Sequence, residues 1–266
     1  MRVIRKRFGQ HFLAPEWVEK VIRAIDPKPD ETFIEIGPGA GALTRPLAAR
    51  ANAVTAYEID RDLAAELTTE AIPNLTVIPG DFLDLASSDF VTRTSDLTRI
   101  AGNLPYNVAS PIMFKLVELR ELGVPLRDAT LMLQREVADR LVAPPGGKEY
   151  GVLSVLIQHA AQVDMVLKLP PGAFRPPPKV NSALVRLRFR APDPSVKDRK
   201  VFAAIVQAVF TRRRKTLANA LLAYGGSSLL PPAEALDRAG LDGRRRPETL
   251  SIAEFATLSD VYARSK

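Results

Sequence analysis

From about residue 32 onward, short apolar runs alternate with stretches whose apolar residues recur every three or four positions. The runs predict strands over 32–36, 53–57, 75–79, 98–102 and 129–133, and the longer period predicts helices over 42–50, 61–71 and 111–119. Strand and helix in alternation predict a parallel sheet covered by helices. Two further strands follow over 163–169 and 182–190. In the last, Ala183, Val185, Leu187 and Phe189 alternate with Ser182, Leu184, Arg186, Arg188 and Arg190, the pattern of a half-exposed strand near a sheet edge. Seven strands suffice for one doubly wound domain over residues 1–190.

The segment Ala191-Pro192-Asp193-Pro194-Ser195 is a polar, proline-punctuated break and marks a domain boundary. Beyond it the strand signals stop. Helical patterns cover 201–210, 216–224, 233–239 and 252–263, so residues 191–266 form a small helical domain.

Composition removes several classes of function. A chain of 266 residues with 46% hydrophobic and 25% charged residues is ordinary for a globular protein, and no apolar run has the length to cross a bilayer. The basic start, Met1 to Arg7, lacks the apolar segment and small-residue cleavage site of a secretory signal. Cysteine is absent, which removes disulfides, thiolate metal sites and a cysteine nucleophile together. His11 and His159 stand too far apart in sequence for a His-rich metal cluster. The expectation is a cytoplasmic, metal-free protein.

Charge adds a partner. Of the net charge of +7, most sits in residues 191–266, where thirteen Lys/Arg face eight Asp/Glu. Residues 1–15 and 165–192 contain no acid at all. Such concentration suits a polyanion. Arg212, Arg213, Arg214 and Lys215, with Arg244, Arg245 and Arg246, are the candidate phosphate contacts, although four consecutive basic residues cannot share one helix face.

The first strand runs into Glu35-Ile36-Gly37-Pro38-Gly39-Ala40-Gly41-Ala42. Glycines here permit a tight strand-to-helix turn and close approach of a ligand to bare backbone. The pattern fits a dinucleotide through Gly37, Gly39 and Ala42, and a methyltransferase cofactor through Gly37, Gly39 and Gly41. Glu58 closes the second strand with Ile59 beside it, where a carboxylate can accept both hydroxyls of a ribose in either cofactor. The third strand ends at Asp81-Phe82. Asp81 suits the N6 amine of a cofactor adenine with Phe82 along the ring, and taken alone suits equally a helix N-cap. Two carboxylates at consecutive strand ends favour a cofactor without phosphates.

The fourth strand ends in Asn103-Leu104-Pro105-Tyr106. An adenine N6 amine is a poor nucleophile because its lone pair is delocalised into the ring. The Asn103 side-chain carbonyl and the Leu104 main-chain carbonyl can hold its two hydrogens, with Pro105 fixing the turn that aims them. Tyr106 provides a stacking face, worth roughly 1–3 kcal/mol per base.

On these residues the chain resembles the ribosomal RNA adenine N6-dimethyltransferase family along almost its whole length. Arg7-Phe8-Gly9-Gln10-His11-Phe12-Leu13 is similar to the family's opening motif, in which Asn is commoner where this chain has His11. Residues 131–141, Phe174-Arg175-Pro176-Pro177-Pro178-Lys179-Val180-Asn181-Ser182, residues 210–217 and residues 246–251 are similar to further family motifs. The resemblance implies an α/β fold: a Rossmann-like, seven-stranded S-adenosylmethionine-dependent methyltransferase sheet with a small all-α C-terminal domain. It implies that His11, Leu13, Gly37, Glu58, Asp81 and Asn103 contact S-adenosylmethionine, and that Phe174 closes on the target base opposite Tyr106. The product cofactor is then S-adenosylhomocysteine, and no metal takes part.

The opening and closing segments resemble most the housekeeping bacterial branch, which dimethylates two adjacent adenines in a hairpin near the 3′ end of 16S RNA during small-subunit assembly. This implies 16S RNA in the small subunit or its precursor as partner, no membrane, and a monomeric protein. The alternatives are the macrolide-resistance branch acting on 23S RNA, a DNA adenine methyltransferase, a nicotinamide-dependent oxidoreductase, and an assembly factor that works mainly by binding the immature subunit.

Overall fold

The computed structural model describes residues 11–86, 90 and 97–263. The chain packs as two units. One runs to Ala138 and resumes over Val163–Phe189; the other takes Asp139–Gln162 and the chain from Arg190 onward.

The first unit opens with β1 (Phe12–Leu13) and α1 (Pro15–Ile25). There follow β2 (Thr32–Ile36), α2 (Thr44–Ala48), β3 (Ala53–Glu58), α3 (Arg61–Thr69), β4 (Leu75–Pro79), β5 (Thr98–Asn103), α4 (Ala109–Glu121), β6 (Leu126–Gln134) and α5 (Arg135–Leu141). After α6 (Val152–Ala160) come β7 (Ala161–Leu169), β8 (Phe174–Arg175) and β9 (Ser182–Phe189). Seven strands form one sheet in the order β4-β3-β2-β5-β6-β9-β7, and β1 pairs with β8 in a separate two-stranded sheet. β4 to β6 are mutually parallel, whereas β9 runs antiparallel to β6. All seven expected strands are present, most within a residue or two of the expected bounds; the sheet is mixed.

The order reverses beside β2: the chain builds outward to β4, then returns to add β5 on the other flank. Register aligns the strand ends there. Tyr57 and Gly102 both pair with Ile36, Pro79 pairs with Glu58, and Met132 with Asn103. The carboxyl ends of these five strands are therefore aligned, and the crevice opens at the topological switch point.

β9 departs from expectation. Ser182, Ala183, Leu184, Val185 and Leu187 are all buried, because the strand lies between β6 and β7 and is covered on both faces. Of its arginines, Arg188 stays exposed while pairing with Asp164, whereas Arg186 is drawn inward and donates to the carbonyls of Ala24 and Ile25. Arg99 reaches the same helix end, donating to Ile25 and Asp26 carbonyls and to Asp128 and Glu31. Two guanidiniums thus satisfy the last carbonyls of α1, where the helix dipole favours positive charge.

The second unit is helical beyond Arg190: α7 (Arg199–Thr211), α8 (Leu217–Leu221), α9 (Pro232–Ala239) and α10 (Ile252–Ala263). It also takes the 139–162 segment, which the sequence assigns to the first domain. The reason is apolar: Tyr150 and Val155 are fully buried in one cluster with Phe202, Ile205, Leu217, Leu221 and Phe255. His159 packs there too, its ring 4.5 Å from Phe202 and its Nε2 2.7 Å from the Pro194 carbonyl, as expected of a structural histidine. No helix among the described residues is long and apolar enough to cross a membrane.

A candidate active site at the sheet's carboxyl edge

Gly37, Gly39 and Gly41 all have positive φ, of 70°, 56° and 78°. The chain leaves β2 through alternate left-handed residues, which side chains other than glycine tolerate poorly. A Cβ on Gly39 would lie 3.2 Å from the Phe12 ring, so β1 closes directly over this turn.

Glu58 is almost wholly buried and holds the turn. Its Oε2 accepts the Gly39 N–H at 2.8 Å and its Oε1 the Asp60 N–H at 2.9 Å. Burial pushes its carboxyl above the ordinary range, against the pull of those two N–H donors. Each oxygen keeps a lone pair for a further donor. Ile59, 47% exposed, and the buried Phe82 line the same cleft. Phe82 is wedged against Tyr57 and Phe90, with ring centroids 5.7 and 5.4 Å away. Asp81 lines the cleft while its side chain accepts the Leu83 N–H at 2.9 Å, so it is also the N-cap of a single 3-10 turn. The capping and cleft-lining readings of Asp81 coexist.

Asn103 ends β5 and donates its side-chain N–H to the His11 carbonyl at 2.8 Å. A carbonyl can only accept, so the amide is oriented with Oδ1 left for another donor. Leu104 is buried, and the Pro105 carbonyl accepts the Val108 N–H at 3.1 Å to shape the turn. Tyr106 follows, its hydroxyl 2.9 Å from Ser182 Oγ and its ring nearly parallel to that of His11 at 5.9 Å. His11 and Leu13 both line the cleft, Leu13 lying in β1. Arg7 to Gln10 of the opening motif lie outside the described residues.

Phe174 does not reach the cleft. It is 1% exposed, in the core with Leu13, Ile22, Phe33 and Leu184, because β8 pairs with β1 and turns the ring inward. Phe174 is thus a core residue in this structure, and Tyr106, half-buried between the cleft-lining Pro105 and Asn107, does not itself line the cleft.

Glu35 was missed in the sequence. It is fully buried, lines the cleft, and its Oε2 has no hydrogen-bond partner. Burial, reinforced by the Glu58 charge, pushes its carboxyl up to about 7. An acid inside the apolar run Phe33-Ile34-Glu35-Ile36 was the available signal. The cleft lining contains Glu35, Glu58 and Asp81 but no Lys or Arg among the described residues. That electrostatics disfavours a ligand bearing phosphates and suits one bearing a cation.

The basic segments of the helical unit form one surface. Arg212 to Lys215 lie in the turn between α7 and α8, not on a helix. This turn meets the 243–246 loop through Leu217 N–H to the Arg245 carbonyl at 2.6 Å and Ala218 N–H to the Gly243 carbonyl at 3.1 Å. Arg213 is turned inward to the Gly147 carbonyl at 3.0 Å and to Glu248 at 3.9 Å, and Arg245 is paired with Glu254. Arg244 is exposed but paired with Asp242. Arg212, Arg214, Lys215 and Arg246 are exposed.

Residues 1–264 match the family model described as ribosomal RNA adenine dimethylase. The chain belongs to that family. A ribosomal RNA small subunit methyltransferase A from Acinetobacter baylyi is 46% identical over 261 residues, covering 96% of this chain and 91% of that protein. Among solved structures, a dimethyladenosine transferase from Plasmodium falciparum superposes with a TM-score of 0.76 at 27% identity, covering 93% of this chain and 96% of the other. The 23S rRNA methyltransferase ErmE superposes with a TM-score of 0.67 at 28% identity, covering 95% and 99%. This dimethylase-family chain is therefore a methyltransferase acting on ribosomal RNA adenine.

Proposed function

We propose that this protein transfers methyl groups from S-adenosylmethionine to the N6 amines of two adjacent adenines in the 3′-terminal hairpin of 16S RNA, giving N6,N6-dimethyladenosine during small-subunit assembly. The observation that carries the reading is the oriented Asn103 amide, with Oδ1 reserved at the edge of a cleft that holds three carboxylates and no Lys or Arg among the described residues.

The cleft suits the cofactor's chemistry. Glu58 offers its remaining lone pairs to ribose hydroxyls, and Asp81 offers one to an adenine amine. Ile59 and Phe82 supply apolar contact to the ring, and Glu35 presents an unpaired carboxylate oxygen to a cationic amino group. When bound, S-adenosylmethionine supplies the methyl, its carbon–sulfur bond breaking as the nitrogen–carbon bond forms and leaving S-adenosylhomocysteine.

The protein's own contribution is positioning. Asn103 Oδ1 and the Leu104 carbonyl hold the N6 hydrogens, which turns the nitrogen lone pair toward the methyl. Tyr106 receives the base on its ring, offsetting part of the few kcal/mol that removing a base from its stack costs. The same face attracts the cationic nitrogen formed during transfer. That nitrogen sheds its proton readily, so no dedicated general base is required. The exposed cations of the helical unit hold RNA phosphates.

Small-subunit RNA is favoured over 23S RNA because the relatives near 46% identity are named for the small subunit, whereas ErmE stands at 28%. An Asn103→Ala variant tests the chemistry: cofactor binding should be largely retained while transfer to small subunits is lost. Full activity in that variant would remove Asn103 from the mechanism.

A further inference from the structure

His11 makes three contacts at once, each to a different part of the site. Its carbonyl takes the Asn103 amide at 2.8 Å, its ring lies against Tyr106 with centroids 5.9 Å apart and planes 25° from parallel, and its Nδ1 is 2.8 Å from the Pro176 carbonyl. A carbonyl cannot donate, so Nδ1 carries the proton in that last bond. The adjoining β1–β8 pairs, Phe12 with Arg175 and Leu13 with Phe174, tie the same stretch of chain to the segment that carries Pro176.

We propose, on the reading given above, that His11 is a positioning residue that sets both members of the base-recognition pair, Asn103 and Tyr106. The logic is geometric. An Asn side chain can rotate to present either its oxygen or its N–H groups, and only the oxygen can receive an N6 hydrogen. The His11 carbonyl holds the N–H end and removes the wrong orientation. That carbonyl stays in place because the same residue's side chain is anchored to Pro176 and braced on Tyr106. Tyr106 in turn is fixed at its hydroxyl by Ser182 and on its ring by His11, which is 5.9 Å away and within the range of favourable offset stacking. One face of the tyrosine is therefore braced, and the other receives the base.

This differs from a cofactor contact. A residue that only touches S-adenosylmethionine affects cofactor affinity, whereas one that aims Asn103 and Tyr106 affects transfer at saturating cofactor. The second methylation is the more sensitive step, since a monomethylated amine has a single hydrogen left with which to be oriented.

The test compares His11→Ala, His11→Asn and His11→Phe with wild type on small ribosomal subunits lacking the dimethyladenosines. It measures kcat, KM for S-adenosylmethionine, and the ratio of N6-monomethyladenosine to N6,N6-dimethyladenosine, with melting temperature as the check on folding. His11→Ala should lower kcat at least about tenfold, change KM for the cofactor less than about threefold, and shift product toward the monomethylated base. His11→Phe, which keeps the brace on Tyr106, and His11→Asn, which keeps a donor near Pro176, should each recover part of kcat. A rise in cofactor KM with kcat and product ratio unchanged would make His11 a cofactor contact and overturn the proposal. A rise in kcat would overturn it differently, by showing that the ring merely occupies the base's place. Should wild type itself fail to methylate small subunits, the functional reading fails before His11 is reached.

Discussion

Glu58 accepts the Gly39 N–H at 2.8 Å and so ties the end of β3 to the left-handed turn that follows β2. The carboxylate expected to hold a ribose is also what shapes the glycine turn beneath it. Glu58→Gln places an NH2 against either the Gly39 or the Asp60 N–H, donor facing donor. A hydrogen bond to a charged group contributes about 1.5–3 kcal/mol, so calorimetric titration with S-adenosylmethionine should show roughly ten- to hundredfold weaker binding. An unchanged Kd would mean that Glu58 is structural only.

Glu35 makes the unbound protein's stability depend on pH. Its folded carboxyl titrates at about 7 against an ordinary 4.5, so the folded state binds the proton more tightly than the unfolded chain does. Stability from this group is complete below 4.5 and is lost as pH rises to about 7. Urea unfolding of the cofactor-free protein at about pH 5 and about pH 7.5 should show that decline in wild type and a shallower one in Glu35→Gln. Cofactor affinity should move the opposite way, strengthening over the same range as the carboxylate forms. Parallel pH profiles for the two proteins would contradict both statements.

Phe174 separates stability from catalysis. A fully buried phenylalanine truncated to alanine costs about 3–5 kcal/mol. Chemical denaturation of Phe174→Ala should show a loss of that size, while folded enzyme keeps most of its kcat. Native stability with lost transfer would return Phe174 to the role that resemblance suggests.

The basic residues divide into exposed ones and ones committed to ion pairs. Neutralising Arg212, Arg214, Lys215 or Arg246 should lower the slope of log affinity against log salt for 16S RNA by about 0.7–0.9 per contact, without changing melting temperature. Arg213→Gln and Arg245→Gln should instead lower melting temperature, because their charges are committed to Glu248 and Glu254. Equal salt slopes across the whole set would remove this surface from RNA binding.

What the sequence made legible follows from how local its signals are. Strand runs, glycines and strand-end acids are read within a few residues, and the sheet and the alignment of Gly37, Glu58, Asp81 and Asn103 were foreseen from them. The misreadings are long-range. Arg186 looks solvated until the end of α1 is brought to it. Tyr150 and Val155 look like part of the first domain until α7 and α10 cover them. Phe174 and Arg213 each turn inward to a partner distant in the chain, Leu13 and Gly147. Glu35 was open to local reading, as an acid inside an apolar strand. Helix α1 was not among the helices expected, although Pro15 at its start and Val18, Val21, Ile22 and Ile25 on one face were local signals for it.

The most direct measurement uses small ribosomal subunits from cells that lack this activity. They are incubated with the protein and methyl-labelled S-adenosylmethionine, and the RNA is digested to nucleosides. Label should appear mainly as N6,N6-dimethyladenosine in 16S RNA, and Asn103→Ala should abolish it. No label in 16S RNA from a protein that binds the cofactor, or label on any atom other than adenine N6, would contradict the account.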